Sequence, residues 1–235
     1  MDSNDPTRLN KYLASRLNVG RRAADLLIAS GQVWVNGKQA ELGDRVVPGD
    51  EIVAEGKLLD WDESHQFTYL LMDKPTGYVC SRRQQGDAHT IYSLLPQKYQ
   101  HLKTVGRLDK NSSGLILLTN DGDLAHRLTH PKFAKVKKYE VTLDKPLQPL
   151  HHQMIADHGI NLPDGKSQFA LERLVEGDDT QWLVIMSEGR NRQIRRTFAA
   201  LDYDVTRLRR VQFGEWHIDN LRGKRLGELD IASIT

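Results

Sequence analysis

A protein that mixes helices and strands in two parts is the fold class this sequence predicts, on three observations. Residues 7–62 read as a pair of short helices followed by tight hairpins. Residues 58–66 are polar, acidic and without periodicity, as a linker would be. Residues 66–235 alternate apolar strand-like runs with helical stretches and carry no internal repeat. A chain of 235 residues suffices for one large or two modest domains. The expected domains are therefore 7–62 and 66–235.

In the first part, Leu9, Tyr12, Leu13 and Leu17 space as one helical face. Ala23, Leu26, Leu27 and Ser30 space as a second, with Gly20 between the helices and Gly31 as the stop. Val33-Trp34-Val35 running into Asn36-Gly37 is a strong hairpin signal, and Gly43-Asp44 and Pro48-Gly49-Asp50 mark further turns before a strand at 51–54. In the second part, residues 67–72 read as a strand that ends at Asp73-Lys74-Pro75-Thr76-Gly77, where proline and glycine force a turn. The run 115–118 is short, wholly apolar and closed by Asn120-Asp121-Gly122, the pattern of a buried strand. Residues 139–143 and 182–186 are further strands. A helix at 123–130 is capped by an acid and stopped by Pro131, and a basic amphipathic helix at 191–201 follows Gly189.

No apolar run approaches the roughly 20 residues that cross a bilayer, and residues 1–8 lack the apolar core of a signal peptide, so a cytoplasmic protein without membrane contact is expected. The single cysteine, Cys80, excludes an internal disulfide framework and is read as a half-buried structural thiol. A net charge of +2 says little, but its distribution says more. Arg8, Lys11, Arg16, Arg21 and Arg22 lie in a stretch without an acid. Further clusters follow at Lys132, Lys135, Lys137 and Lys138, at Arg190, Arg192, Arg195 and Arg196, and at Arg207, Arg209 and Arg210. Cations concentrated within a nearly neutral chain suit a surface that tracks a phosphate backbone.

Asp109 is the residue with most chemistry in prospect. It lies in a loop feeding the rigid 115–118 strand, which would expose its carboxylate while fixing its position, and Arg107 is placed to hold it ionised and aimed. The run from Asp109 to Gly114 resembles the start of a calcium loop, but position twelve is Asn120 rather than a bidentate glutamate. His126 and His130 share a helical face without an evident third ligand. Neither dinucleotide fingerprint, phosphate loop nor two-metal acid cluster is present, and no metal or cofactor is expected.

Arg8-Leu9-Asn10-Lys11-Tyr12-Leu13, Arg21-Arg22-Ala23-Ala24 and Val33-Trp34-Val35-Asn36-Gly37 together resemble the S4 RNA-binding domain. The resemblance implies that Arg8, Lys11, Arg21 and Arg22 face structured RNA. Three later motifs stand in order: Gly106-Arg107-Leu108-Asp109 with Ser113-Gly114-Leu115, then Lys137-Lys138-Tyr139-Glu140-Val141, then Glu188-Gly189-Arg190-Asn191-Arg192-Gln193-Ile194-Arg195-Arg196. With the S4-like module ahead of them they resemble the ribosomal RNA branch of the pseudouridine synthases. This resemblance implies an α+β protein whose catalytic domain is a large mixed, mainly antiparallel sheet flanked by helices, with RNA in a basic cleft across the sheet. It implies that Asp109 is the carboxylate that attacks the target uridine, at C6 or at C1′, so that the base is detached, turned and rejoined through C5. Tyr139 would stack on the base and is a candidate for moving a proton. Arg190 would pair with Asp109, in competition with Arg192, and the ion pair would keep the acid deprotonated. Ile194 would pack in the pocket, and Arg107 would aid base flipping or positioning. Lys135, Lys137 and Lys138, with Arg192, Arg195 and Arg196, would hold phosphates. The implied chemistry needs no cofactor, and the implied partner is ribosomal RNA or an assembly intermediate, bound by a monomer. The arginine-rich Gly189-Arg190-Asn191-Arg192-Gln193 favours 23S over 16S RNA. The rival reading is a non-catalytic S4 protein acting in ribosome assembly, with Asp109 merely structural.

Overall fold

The computed structural model describes residues 5–61 and 67–229, and the chain forms two compact units, residues 1–67 and 68–235. The first unit opens with β1 (Thr7–Arg8), α1 (Leu9–Arg16) and α2 (Arg21–Ala29), followed by β2 (Val33–Val35), β3 (Lys38–Gln39), β4 (Arg45–Val46), β5 (Ile52–Ala54) and β6 (Lys57–Leu59). A four-stranded antiparallel sheet runs β3-β2-β5-β6. The β2–β3 hairpin turns at Asn36 (φ 49°) and Gly37 (φ 75°), the two positive dihedrals that a two-residue turn of the favoured twist requires. Leu9, Tyr12 and Leu13 of α1 are buried as their spacing requires.

The second helix packs by a different face from the expected one. Ala24 and Ile28, one turn apart, are buried, whereas Ala23 and Ser30 are exposed and Leu26 is 72% exposed. Apolar residues occupy so many positions of Ala-Ala-Asp-Leu-Leu-Ile-Ala that spacing alone does not single out a face, and the core formed by Leu9, Leu13, Val33 and Ile52 decides it. The supposed linker also differs. Leu58 and Leu59 pair with Val53 and Ile52 in the sheet, while residues 62–66 lie outside the described residues.

The second unit comprises β7 (Tyr69–Lys74), β8 (Lys103–Val105), β9 (Ser113–Thr119), α3 (Gly122–Thr129), β10 (Lys137–Leu143), α4 (Pro149–Gln153), β11 (Ile160–Leu162), β12 (Gly165–Ser167), β13 (Ala170–Val175), β14 (Asp178–Met186), α5 (Gln193–Ala199), β15 (Val205–Phe213), β16 (Trp216–His217) and β17 (Leu226–Glu228). Nine strands form one mixed sheet in the order β13-β14-β10-β15-β9-β7-β17, with β16 on β15 and β8 on β9. Every pairing in it is antiparallel except β9 with β15. All seven residues of β9 are buried. Ile116 and Leu118 join one core with Leu70 and Met72, and Leu115 and Leu117 join another with Tyr69 and Leu71. Cover on both faces explains why this strand is continuously apolar rather than alternating.

Several boundaries move. The strand expected at 67–72 begins at Tyr69 and continues through Lys74, whose side chain is wholly buried. The basic helix starts only at Gln193, because Arg192 takes a left-handed conformation, φ 47°. Cys80 lies half-buried in a bend, where its sulfur accepts a hydrogen bond from the Leu108 N–H at 3.4 Å.

Asp121 caps α3, accepting from the amides of Asp123 and Leu124 at 3.0 and 2.9 Å, and accepts the Tyr69 hydroxyl at 3.0 Å. Burial, and then the bond to this carboxylate, push the Tyr69 phenol from 10.0 up to about 12. A pKa raised in the folded state means that the Tyr69 contribution is complete below pH 10 and is lost as pH rises towards 12. Tyr69→Phe is expected to cost about 2 kcal/mol at neutral pH and to flatten the fall in stability between pH 10 and 12, read by denaturant unfolding across that range.

Candidate active site

Asp109 stands in the turn that joins β8 to β9, and all four carbonyls of that turn are taken by named donors. The Lys74 ammonium donates to Asp109 O at 3.0 Å and Ser112 O at 2.6 Å, with its third bond to Pro75 O at 3.0 Å. The Gly77 amide donates to Lys110 O at 2.8 Å, and Arg195 Nη2 donates to Asn111 O at 2.8 Å. The Ser112 amide closes the turn onto Asp109 O at 3.1 Å. Three carbonyls satisfy the three N–H groups of a buried ammonium, although burial pushes its pKa below the usual lysine value, with Cys80 and Asp109 acting in the opposite sense. The backbone is thus committed, and the Asp109 carboxylate, 35% exposed, projects from it.

That carboxylate meets a recess of about 270 Å³ lined by Arg107, Tyr139, Arg192, Ile194 and Leu208, among others. The volume suits one nucleoside. Tyr139 enters from the middle of β10, and Ile194 from the first turn of α5; both are largely buried. Five sequence-derived site residues, Asp109, Tyr139, Arg190, Ile194 and Arg107, line this one recess.

The arginines are distributed differently from expectation. Arg192, not Arg190, faces the acid, at 3.7 Å from Asp109 Oδ2. Its left-handed backbone turns it back over the recess. Arg190 instead binds Asp164 Oδ1 at 3.0 Å and the carbonyls of Asp164, Gly165 and Lys166. Arg196 adds two bonds to the same carboxylate, at 2.9 and 2.7 Å. Asp164 thereby latches the β11–β12 hairpin to α5, and its own pKa is lowered, first by Arg196. Arg195 ties α5 to Val205 O at 2.6 Å and to Asn111 O, so neither Arg195 nor Arg196 is a free phosphate ligand. Arg107 is exposed and forms no ion pair with Asp109 among the described residues. The cluster at 207–210 is mixed: Arg209 pairs with Asp73 at 2.7 Å, Arg210 is buried, and exposed Arg207 lies 3.7 Å from Glu140.

Lys135 and Lys137 line a second recess beside the first, whereas Lys138 alternates with Tyr139 to the other side of β10. In the first unit Arg8, Lys11, Arg21 and Arg22 are all exposed. The His126 and His130 rings meet edge to face with centres 4.9 Å apart, and among the described residues no three metal-ligating side chains come together.

Sequence reasoning passed over Lys74, read only as part of a turn, although a lysine closing the apolar run Tyr-Leu-Leu-Met was a signal. It also passed over Asp164 and the buried Gln193–Ser167–Thr197 network. Thr197 is wholly buried and its hydroxyl donates to Ser167 Oγ at 2.7 Å.

The family profile of the RNA pseudouridylate synthases matches residues 68–200, and that of the S4 domain matches residues 7–52. The chain is 37% identical over 230 residues to the ribosomal small subunit pseudouridine synthase A of Pasteurella multocida, covering 97% of this chain and 96% of that one. It is 35% identical over 226 residues to the ribosomal large subunit pseudouridine synthase B of Bacillus subtilis, covering 94% and 90%. A solved pseudouridylate synthase crystal structure superposes with a TM-score of 0.67 at 33% identity, covering 97% of each chain.

Gly114 explains how β9 and β15 come close enough to frame the recess. Its φ is +103°, and a Cβ there would lie 2.2 Å from the Arg210 carbonyl oxygen. Backbone cannot move aside as a side-chain tip can. Gly114→Ala is therefore expected to cost about 3 kcal/mol or more and to lower the melting temperature by roughly 10 °C, as thermal unfolding would show.

Proposed function

Since the chain belongs to the RNA pseudouridylate synthase family and carries an S4 domain, we propose that it isomerises a uridine of ribosomal RNA to pseudouridine, with Asp109 as the nucleophile. The observation that carries the reading is the convergence of Asp109, Tyr139, Arg192 and Ile194 on one nucleoside-sized recess, with the Asp109 turn held from behind by Lys74.

The chemistry follows from the geometry. A uridine must leave its stack to enter the recess, at a cost of a few kcal/mol that a loop or irregular helix reduces. Exposed Arg107 at the rim is placed to occupy the vacated position or to guide the nucleotide in. Inside, the Tyr139 ring and the Ile194 side chain flank an apolar slot for the base, and the Arg192 guanidinium stands 3.7 Å from the Asp109 carboxylate. Attack by the carboxylate at C1′ displaces the uracil, which turns and through C5 displaces the carboxylate; attack at C6 instead adds the carboxylate to the base, the glycosidic bond breaks, the base turns and bonds C1′ through C5, and the carboxylate leaves C6. Either route ends with loss of the C5 proton, and Tyr139, which lines the recess, is the candidate to move it. No redox step or activated donor is needed.

The relatives named above include enzymes of both ribosomal subunits, and the arginine-rich 189–193 turn favours 23S RNA. The exposed cations of the S4 unit would supply sequence-independent affinity for folded RNA. The test uses small-subunit and large-subunit transcripts carrying tritium at uridine C5. Wild type is expected to release tritium to water from one of them, and Asp109→Asn to release less than about one part in 10³ of that while binding RNA as tightly. Full activity in Asp109→Asn would overturn the nucleophile assignment, and no release by wild type from bound RNA would favour a non-catalytic S4 protein.

A further inference from the structure

A second recess of about 390 Å³ shares Gly106, Arg107, Tyr139, Gly189 and Arg190 with the Asp109 recess, and so opens directly beside it. Its distinctive feature is Arg210, which is 3% exposed and lines the recess wall. Arg210 Nε donates to Leu115 O at 2.7 Å, and the guanidinium carbon lies 4.8 Å from the Phe213 ring centre. Its Nη2 is buried with no hydrogen-bond partner, and no carboxylate pairs with it among the described residues. Its neighbours in sequence differ: Arg209 has Asp73 and Arg207 has Glu140.

A second cation lies over the same ring. Lys137 Nζ is 5.9 Å from the Phe213 centre and donates to Lys135 O and Ser187 O at 3.1 and 3.0 Å, which leaves its third N–H over. Burial, and then the charge of Arg210, hold its pKa below the usual lysine range, with Glu188 opposing them. Glu188 lines the same recess, lies 3.5 Å from Arg190 Nε and accepts from Gln193, but makes no hydrogen bond or ion pair with Arg210 or Lys137 among the described residues. A β-bulge creates the pairing. Tyr139 faces Arg210 and Lys137 faces Phe213, with Val211 left out of the register, so residues three apart in β15 converge beside residues two apart in β10.

Burying charge without a counter-charge is costly unless a ligand brings one. We propose that this recess is an anion subsite in which Arg210 and Lys137 receive the phosphodiester adjoining the target uridine. Its RNA ligand rests on the synthase reading above, because the subsite shares a wall with the slot for the base. Phe213 holds both cations in place, and the phosphate supplies the missing acceptor oxygens in a site screened from solvent, where charge-assisted bonds are strong. The subsite would fix the strand so that the neighbouring base falls into the Asp109 recess.

The experiment follows the Arg210 Nε–H resonance of the whole chain by NMR during titration with inorganic phosphate, with chloride at matched ionic strength as control. Wild type is expected to shift saturably in the millimolar range. Lys137→Met, which keeps the length and apolar packing of the stem, should weaken that binding at least about tenfold at an unchanged melting temperature. A short uridine-centred RNA should displace the phosphate, and the same RNA with a methylphosphonate on each side of the uridine should not. No saturable shift, an equal shift in Lys137→Met, or equal displacement by the neutral RNA would each overturn the proposal. The readout is binding alone, so its failure with tritium release intact overturns only the subsite. Loss of tritium release with the phosphate response intact overturns only the synthase reading.

Discussion

A buried ammonium holds this site together. Lys74 ends a strand that begins Tyr-Leu-Leu-Met, and its three N–H groups are consumed by three carbonyls, two of them in the Asp109 turn. Each such charge-assisted bond contributes roughly 1.5–3 kcal/mol, and a lysine without these acceptors would not stay buried. Gly77 and Arg195 take the remaining two carbonyls. Strand β7, the loop after it and helix α5 therefore all grip the same four residues, from which the Asp109 carboxylate projects. Pre-organisation of this kind removes the cost of arranging a reactive group at the moment of reaction.

The same logic sorts the basic residues. In a chain with so many arginines the informative question is which ones already have acids. Arg190 and Arg196 share Asp164, Arg195 binds carbonyls and Arg209 has Asp73, so these build the frame. Arg192 faces Asp109, Arg107 stands at the rim, and Lys137 and Arg210 line the adjoining recess without a carboxylate partner among the described residues. Cation clusters that read in sequence as one phosphate-tracking surface thus divide into those that hold the frame and those that line the two recesses.

Periodicity made much of the fold legible. The run 115–118 reads as a buried strand, and 139–143 and 182–186 as alternating ones. The Asn-Gly turn and the acid-capped helix at 122–129 carried their own local chemistry. What stayed hidden depends on partners far apart in sequence. The face of α2 was ambiguous because apolar residues surround it, and the core across from it made the choice. The arginine facing Asp109 depended on a left-handed residue at Arg192 and on Asp164 capturing Arg190 from 26 residues away. Lys74 looked like part of a turn because two of its three acceptors lie more than 30 residues downstream.

The most direct test of this account is amide hydrogen exchange at Gly77 and Ser112 in Lys74→Met, against wild type. These amides close the Asp109 turn, and methionine removes the ammonium while keeping the apolar stem. Exchange at both is predicted to accelerate at least about tenfold, in excess of any change in the most protected amides of β9. Unchanged protection at both amides, with the fold intact, would show that the turn stands without Lys74 and would contradict the account.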